Sequence, residues 1–178
     1  MNISEFKPAI LFIVKFLVLY LGLNLLYGFY IDTYSPSPDP ITVVVTNQVS
    51  GVMSAFGNGV EASDNQEKPS VFLSLNGYNI LSVYEGCNGL NVMIVFLVFL
   101  LSYGKPIKKL YWFIPMGLVG VHLFNLIRII LLFWVAQDFP EMMYFAHKYL
   151  FTAFLYIIVF LMWFWWVVKL YKLPSEET

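Results

Sequence analysis

Tyr84-Glu-Gly-Cys-Asn-Gly-Leu-Asn91 stands where a polar segment ends and a long apolar run begins, and it carries Cys87, the only cysteine in 178 residues. A lone cysteine makes no intramolecular disulfide and no thiolate zinc cage. It is either an inert small hydrophobe or a reactive thiolate. Gly86 and Gly89 bracket it and leave the backbone uncovered, while Glu85, Asn88 and Asn91 are polar company for a packing residue. The apolar run that follows, to about residue 103, makes this stretch the entry to a membrane span.

Composition agrees. Hydrophobic residues make up 60% of the chain, aromatics 19% and charged residues 12%, with a mean hydropathy of +0.73. Soluble domains carry about 25% charged residues. The chain reads as an all-α polytopic membrane protein, a single membrane domain over residues 1–178 with about four transmembrane helices. The spans fall at about residues 9–30, 87–103, 110–135 and 149–168, each judged against ~30 Å of hydrocarbon at ~1.5 Å per residue. The first has no small-x-small cleavage site after it and reads as an uncleaved anchor.

Residues 31–86 form the one long segment between spans. Ser35-Pro-Ser-Pro-Asp-Pro40 breaks any helix. Asp39 then suits an N-cap, with Pro40 at the first helical position. Val44, Val45, Val49, Val52, Met53 and Phe56 recur at helical spacing, opposite Thr42, Thr46, Asn47, Ser50 and Ser54. This predicts an amphipathic helix lying in the interface or packed on the bundle, with a strand as the alternative because of the β-branched run at 42–46. Residues 61–68 read as an exposed polar loop. Asn76-Gly77 between two apolar runs predicts a small β-hairpin that leads the chain to Glu85 and Cys87 and forms a plain surface or a docking edge beside the thiol.

Basic residues set the orientation. Lys7, Lys105, Lys108, Lys109, Lys169 and Lys172 fall on one side, with Lys15 near them, and Lys68 and Lys148 on the other. The positive-inside rule puts both termini in the cytoplasm and residues 31–86 and 136–148 outside. The implied location is the cytoplasmic (inner) membrane, crossed several times, with membrane lipid as the immediate partner. Cys87 then opens the second span at the outer boundary. Arg128 lies 18 residues beyond Leu110, or about 27 Å up a straight helix. His147 closes the outer loop ahead of the fourth span. Three potent side chains from three segments reach one depth, with Asn125 one turn below Arg128.

Each has a bland alternative. Arg128 can snorkel, or pair with Asp138, Glu141 or Glu85. His147 can be a loop histidine, His122 a hydrogen-bonding residue within the bundle, and Asn125 interhelical glue. Yet an ionisable residue in a span costs about 2.5–3.5 kcal/mol and is functional by default, and the coincidence of all three points to chemistry. A cation gives a cysteine thiolate character, a histidine relays protons, and an arginine holds an oxyanion. Together they suit acyl transfer from a peptide carbonyl, with the active site facing outward. One cysteine and two histidines at different depths do not make a metal cage. The sequence has no Gly-rich phosphate loop and no Gly-x-Ser-x-Gly elbow. No cofactor and no nucleic-acid partner are expected.

Glu85-Gly-Cys87-Asn-Gly89-Leu90, Asn125-Leu-Ile-Arg128 and then His147 resemble, in order and spacing, the exosortase/archaeosortase family of prokaryotic membrane transpeptidases. The resemblance spans residues 75–150. It implies Cys87 as nucleophile, Arg128 as transition-state stabiliser and His147 as acid and base. Glu85, Asn88, Gly89 and Asn125 are the residues to bind substrate or support those three. It also implies an exported protein substrate with a C-terminal sorting tail, cut before its membrane helix and passed to an acceptor the sequence does not identify. The family usually has Cys-Ser-Gly where this chain has Cys-Asn-Gly, and its familiar members have more spans. This chain looks like a compact, short-chain branch of the Bacteroidetes type. Two rivals remain: a non-enzymatic multi-pass subunit of an export or assembly complex, and a lipid-linked acyltransferase using the same thiolate.

Overall fold

The computed structural model of the chain describes residues 3–103 and 107–170, with side chains from Phe6 onward. Its centre is a short helix, α3 (Leu90–Ser102), of 13 residues. Two stripes at i, i+4 spacing explain its burial. Val92, Phe96 and Leu100 join the core shared with the later helices, while Ile94 and Val98 join Tyr27 of the first helix. Helix α3 is therefore sandwiched between α1 (Ile3–Asp32) on one side and, on the other, α4 (Leu110–Asp138) and a helical run, α5 (Pro140–Leu170).

Among the described residues, three helices are long and apolar enough to cross a membrane: Phe6–Asp32, Leu110–Asp138 and Pro140–Leu170. Leu21, Leu25, Leu26 and Phe29 of α1 lie 57%, 64%, 65% and 68% exposed, an apolar surface that requires lipid rather than water around it. The expected second span, 87–103, is shorter than anticipated. Its first residue, Cys87, ends a 3₁₀ turn (Glu85–Cys87), and Gly89 at φ 86° separates that turn from α3. At about 1.5 Å per residue, α3 is only about 20 Å long.

The expected polar connection at 137–148 is likewise mostly helix. α4 runs on to Asp138, Phe139 alone breaks it at φ −139° and ψ 57°, and Pro140 starts the next turn. Proline loses nothing at a first helical position, where its missing N–H would be unpaired anyway. His147 consequently belongs to α5 and not to a loop. Lys105 and Lys172, used in the orientation argument, lie outside the described residues.

At the other end of the bundle the Trp163–Trp166 cluster divides. Trp163 stacks on Phe99 at 4.2 Å and Trp166 on Phe113 at 4.8 Å, while Phe164 and Trp165 stay exposed. Half of the expected aromatic belt is thus core. Gly117 lets α3 and α4 come together beside these stacks, since a Cβ there would lie 2.1 Å from the Phe96 ring.

The segment between α1 and α3 settles the helix-or-strand alternative as helix. α2 (Pro40–Ala55) is capped by Asp39, whose Oδ1 accepts from Ile41 N and Thr42 N at 3.0 and 3.1 Å. Its buried face is Thr42, Val45, Thr46, Val49 and Met53, and Val44, Val52 and Phe56 are exposed. That inverts part of the expected amphipathic pattern. Both threonines bury because their hydroxyls are satisfied locally: Thr42 Oγ1 donates to Asp39 Oδ2 at 2.5 Å and Thr46 Oγ1 to Thr42 O at 2.8 Å. Ser50 and Ser54 both donate to Val60 O, at 2.7 and 2.9 Å, which ties α2 to the start of β1, while Val44, Asn47, Gln48, Gly51 and Val52 form its exposed face.

The hairpin is present and has a third strand. β1 (Val60–Asp64), β2 (Ser70–Leu75) and β3 (Tyr78–Tyr84) form an antiparallel sheet in that order. Asn76 and Gly77 turn at φ 52° and 81° as their sequence predicts. β1 replaces much of the expected polar loop. Only Val60 in it is a large apolar residue, so alternation gave no signal. Val60, Leu73, Leu81 and Val83 pack with Val45, Val49 and Met53 of α2 and with Ile129, Leu132 and Phe133 of α4. The sheet thereby rests on the end of α4 that carries Arg128 and leads into the turn that carries Cys87.

Candidate active site

Cys87 ends the 3₁₀ turn at the foot of β3, and its carbonyl is gripped from α4. Asn125, fully buried, donates its Nδ2 to Cys87 O at 3.0 Å and accepts at Oδ1 from Arg128 Nη1 at 3.4 Å. The grip needs Gly89. A Cβ there would come within 2.8 Å of Asn125 Cγ, and the backbone already stands at φ +86°, where non-glycine residues pay about 1–2 kcal/mol.

From the opposite side, α5 brings His147. Its Nε2 lies 3.1 Å from Cys87 Sγ. The residue sits in a π-helical turn, Ala146–Leu150, where Thr152 Oγ1 donates to His147 O at 2.9 Å. The extra residue of such a turn re-aims the side chains that follow it. With its proton on Nδ1, the imidazole offers Nε2 as acceptor for the thiol proton.

Arg128 is 5% exposed, and its Nε is buried with no hydrogen-bond partner. Among the described residues none of the acids considered for it, Asp138, Glu141 or Glu85, forms an ion pair with it. Its positive charge acts instead on Cys87. Burial pushes the Cys87 thiol above its ordinary value and the Arg128 guanidinium pulls it back, with burial the larger effect. Burial thus opposes the expected thiolate character, and the sulfur lies in contact with an imidazole that can take its proton.

The structure thus brings together Cys87, Arg128, His147, Asn125 and Gly89, from three elements. Glu85 sits beside them with one carboxylate oxygen, Oε2, buried and unpartnered. Asn88 goes elsewhere. Buried to 1% exposure, it donates Nδ2 to Tyr27 Oη at 2.8 Å and to Thr42 Oγ1 at 3.1 Å, and accepts at Oδ1 from Leu90 N at 2.9 Å. Tyr27 in turn donates to Glu85 O at 3.2 Å. Sequence reasoning missed Tyr27 and Thr42 as partners of this turn, and at separations of 61 and 46 residues no local pattern could have found them. His122 stays apart, paired with Gln48 at 2.8 Å between α4 and α2.

A cleft of about 520 Å³ opens onto the thiol, lined by residues 81–87, Ile129, Leu132, Met143, Tyr144 and His147. A smaller one, about 140 Å³, lies on the Arg128 side of Gly86 with Asn91, Val92, Thr152, Leu155 and Tyr156. Among the described residues no group of three or more His, Cys, Asp or Glu side chains could hold a metal ion.

Residues 5–166 match the family described as transmembrane exosortase (Exosortase_EpsH). The chain belongs to that family. No curated protein and no solved structure matches it significantly. Membership makes it a membrane protein of a sorting-transpeptidase family, one whose protein substrates carry a sorting signal.

Proposed function

We propose that this exosortase-family chain is a cysteine transpeptidase that cleaves the C-terminal sorting tail of an exported protein and transfers the acyl group to an acceptor. The observation that carries the reading is the 3.1 Å contact between Cys87 Sγ and His147 Nε2, a nucleophile within hydrogen-bond reach of its base. His147 takes the thiol proton as sulfur attacks the scissile carbonyl. Negative charge develops on the carbonyl oxygen, and the buried Arg128, with a donor to spare, stabilises it. His147 then gives the proton to the departing amine, the C–N bond breaks, and a thioester on Cys87 remains. The acceptor, deprotonated by the same imidazole, attacks the thioester and releases the sulfur. Asn125 and Gly89 hold the Cys87 backbone in place.

The basic residues favour both termini in the cytoplasm, with the site at the outer face of the cytoplasmic membrane. A subunit reading would have Cys87 merely pack and Arg128 pair with an acid. The thiol–imidazole contact and the lack of such an ion pair speak against it. The test is covalent trapping in cells that express the chain with a tail-bearing exported protein. Acid-quenched wild type should carry a polypeptide as a thioester on Cys87, and Cys87→Ala should carry none while still accumulating in the membrane. Undiminished tail processing by Cys87→Ala would end the proposal.

A further inference from the structure

We infer that the free edge of β3 is the docking site for an extended stretch of the substrate, the residues just ahead of the scissile bond, which adds to the sheet as a fourth strand running parallel to β3. The inference rests on the proposed function for the identity of its occupant.

Successive side chains of a strand point to opposite faces. A cavity on one face therefore touches every second residue. The large cleft touches every β3 residue from Leu81 to Tyr84 without a gap and continues along the turn to Cys87, so it runs along the strand's edge and exposes the backbone. That edge is open, because the sheet order is β1-β2-β3 and β3 pairs only with β2 among the described residues. Unpaired strand N–H and C=O groups template another extended chain. The opposite wall is apolar, from Ile129, Leu132 and Met143, and the floor is Cys87 with His147. Glu85 Oε2, buried without a partner at the same end, is an acceptor left for an incoming N–H.

Direction follows from where the two ends of the substrate must go. β3 runs toward Cys87, and α3, which follows it, enters the apolar bundle. A substrate whose exported body lies outside and whose tail helix lies in the bilayer takes the same course. Its N-terminal side arrives along the sheet and its scissile carbonyl meets the thiol. Residues 81–84 cover about 13 Å at 3.3 Å per residue, which is room for about four extended substrate residues. In a parallel pair only alternate amides of the added strand point at β3.

Peptidyl chloromethyl ketones test this on the purified full chain in detergent. The Cys87 sulfur displaces chloride and forms a thioether, so no acceptor is needed. With alanine- and valine-based reagents of one to four residues, the second-order labelling rate should rise at least tenfold with length. N-methylation of alternate amides in the longest reagent should abolish that gain, and methylation of the intervening amides should leave it within about twofold. Iodoacetamide, which has no strand to dock, sets the reference. Labelling by iodoacetamide with no dependence on peptide length, or with the same loss at every methylated position, overturns the docking alone. A Cys87 inert to both reagents, or as reactive in His147→Ala as in wild type, overturns the proposed function together with the docking.

Discussion

Cys87 and Asn88 are adjacent in the chain and serve opposite sides of one turn. On the Cys87 side the polar groups are left incompletely satisfied: a thiol against an imidazole and a carboxylate oxygen without a partner beside the large cleft, and an arginine with a free buried donor beside the smaller one. On the Asn88 side three hydrogen bonds tie the amide to α1, α2 and the start of α3, and the nearby Asp39 and Thr42 are bonded to one another. Satisfied networks rigidify, and unsatisfied buried groups wait for a ligand. The difference separates scaffold from chemistry within two residues, so substitutions on the two sides should fail in different ways.

The largest break is Cys87→Ser. The hydroxyl keeps the size and ionises far less, so tail processing should fall more than about 10³-fold, with unfolding of the detergent-solubilised protein unchanged. Retained processing in a gel-shift assay of the tail-bearing substrate would return Cys87 to the scaffold. Arg128→Lys comes next. It keeps the charge and loses the planar fork, and removal of one such oxyanion donor costs about 2.7–4 kcal/mol, or 10²–10³ in rate. Near-normal turnover would make Arg128 an interfacial side chain that happens to lie by the thiol.

Gly89→Ala sharpens the comparison because Gly89 belongs to both sides. The added Cβ meets Asn125 at 2.8 Å at φ +86°, so the Asn125–Cys87 bond must open. Left-handed strain and lost hydrogen bonding together predict a loss of about 2–3 kcal/mol in stability, with slower Cys87 alkylation. Denaturant titration and a labelling time course should both change. If only one does, the glycine serves one side.

How much of this was legible follows the range of the interactions. The Asn76-Gly77 turn and the Asp39 cap are local and were readable, and so was the nearness of Cys87, Arg128 and His147, because helix rise converts residue count into distance. Strand β1 was not, since Glu61, Ala62, Ser63 and Asp64 give no alternation, and the strand exists because Val60 packs under α2 and β2 supplies the ladder. The helical setting of His147 was hidden by polar Gln137, Asp138, Glu141 and Lys148, which look like a loop when their exposed faces are not known. Asn88 was grouped with the chemistry from adjacency alone, and only Tyr27 and Thr42, distant in sequence, reveal its direction.

A pH series separates the sides by charge. Burial holds the Cys87 thiol above its ordinary value of 9.0 and Arg128 opposes that shift. The alkylation rate should climb as pH rises, with its midpoint above 9.0. Arg128→Gln removes the opposing charge and should move the midpoint higher still. A midpoint below the ordinary value would mean a resting thiolate, and His147 would then start the cycle as an acid.

Tyr27→Phe is the smallest and most discriminating change. It deletes one oxygen and keeps the ring in place among Ile94, Val98 and their neighbours. Asn88 Nδ2 loses its 2.8 Å partner but keeps Thr42 Oγ1 at 3.1 Å, and Glu85 O loses a donor at 3.2 Å. Each net intramolecular hydrogen bond is worth about 0.5–1.5 kcal/mol, and Asn88 keeps its second acceptor, so stability should fall by about 1–2 kcal/mol. The thiol, imidazole and guanidinium are untouched, and the Cys87 carbonyl is still held by Asn125. Cys87 labelling should therefore stay within about twofold of wild type, a change of under about 0.4 kcal/mol in the barrier. A tenfold slower label at unchanged stability would mean that the Tyr27 hydroxyl steers the 3₁₀ turn through Glu85, and that the division between the two sides lies one residue earlier in the chain.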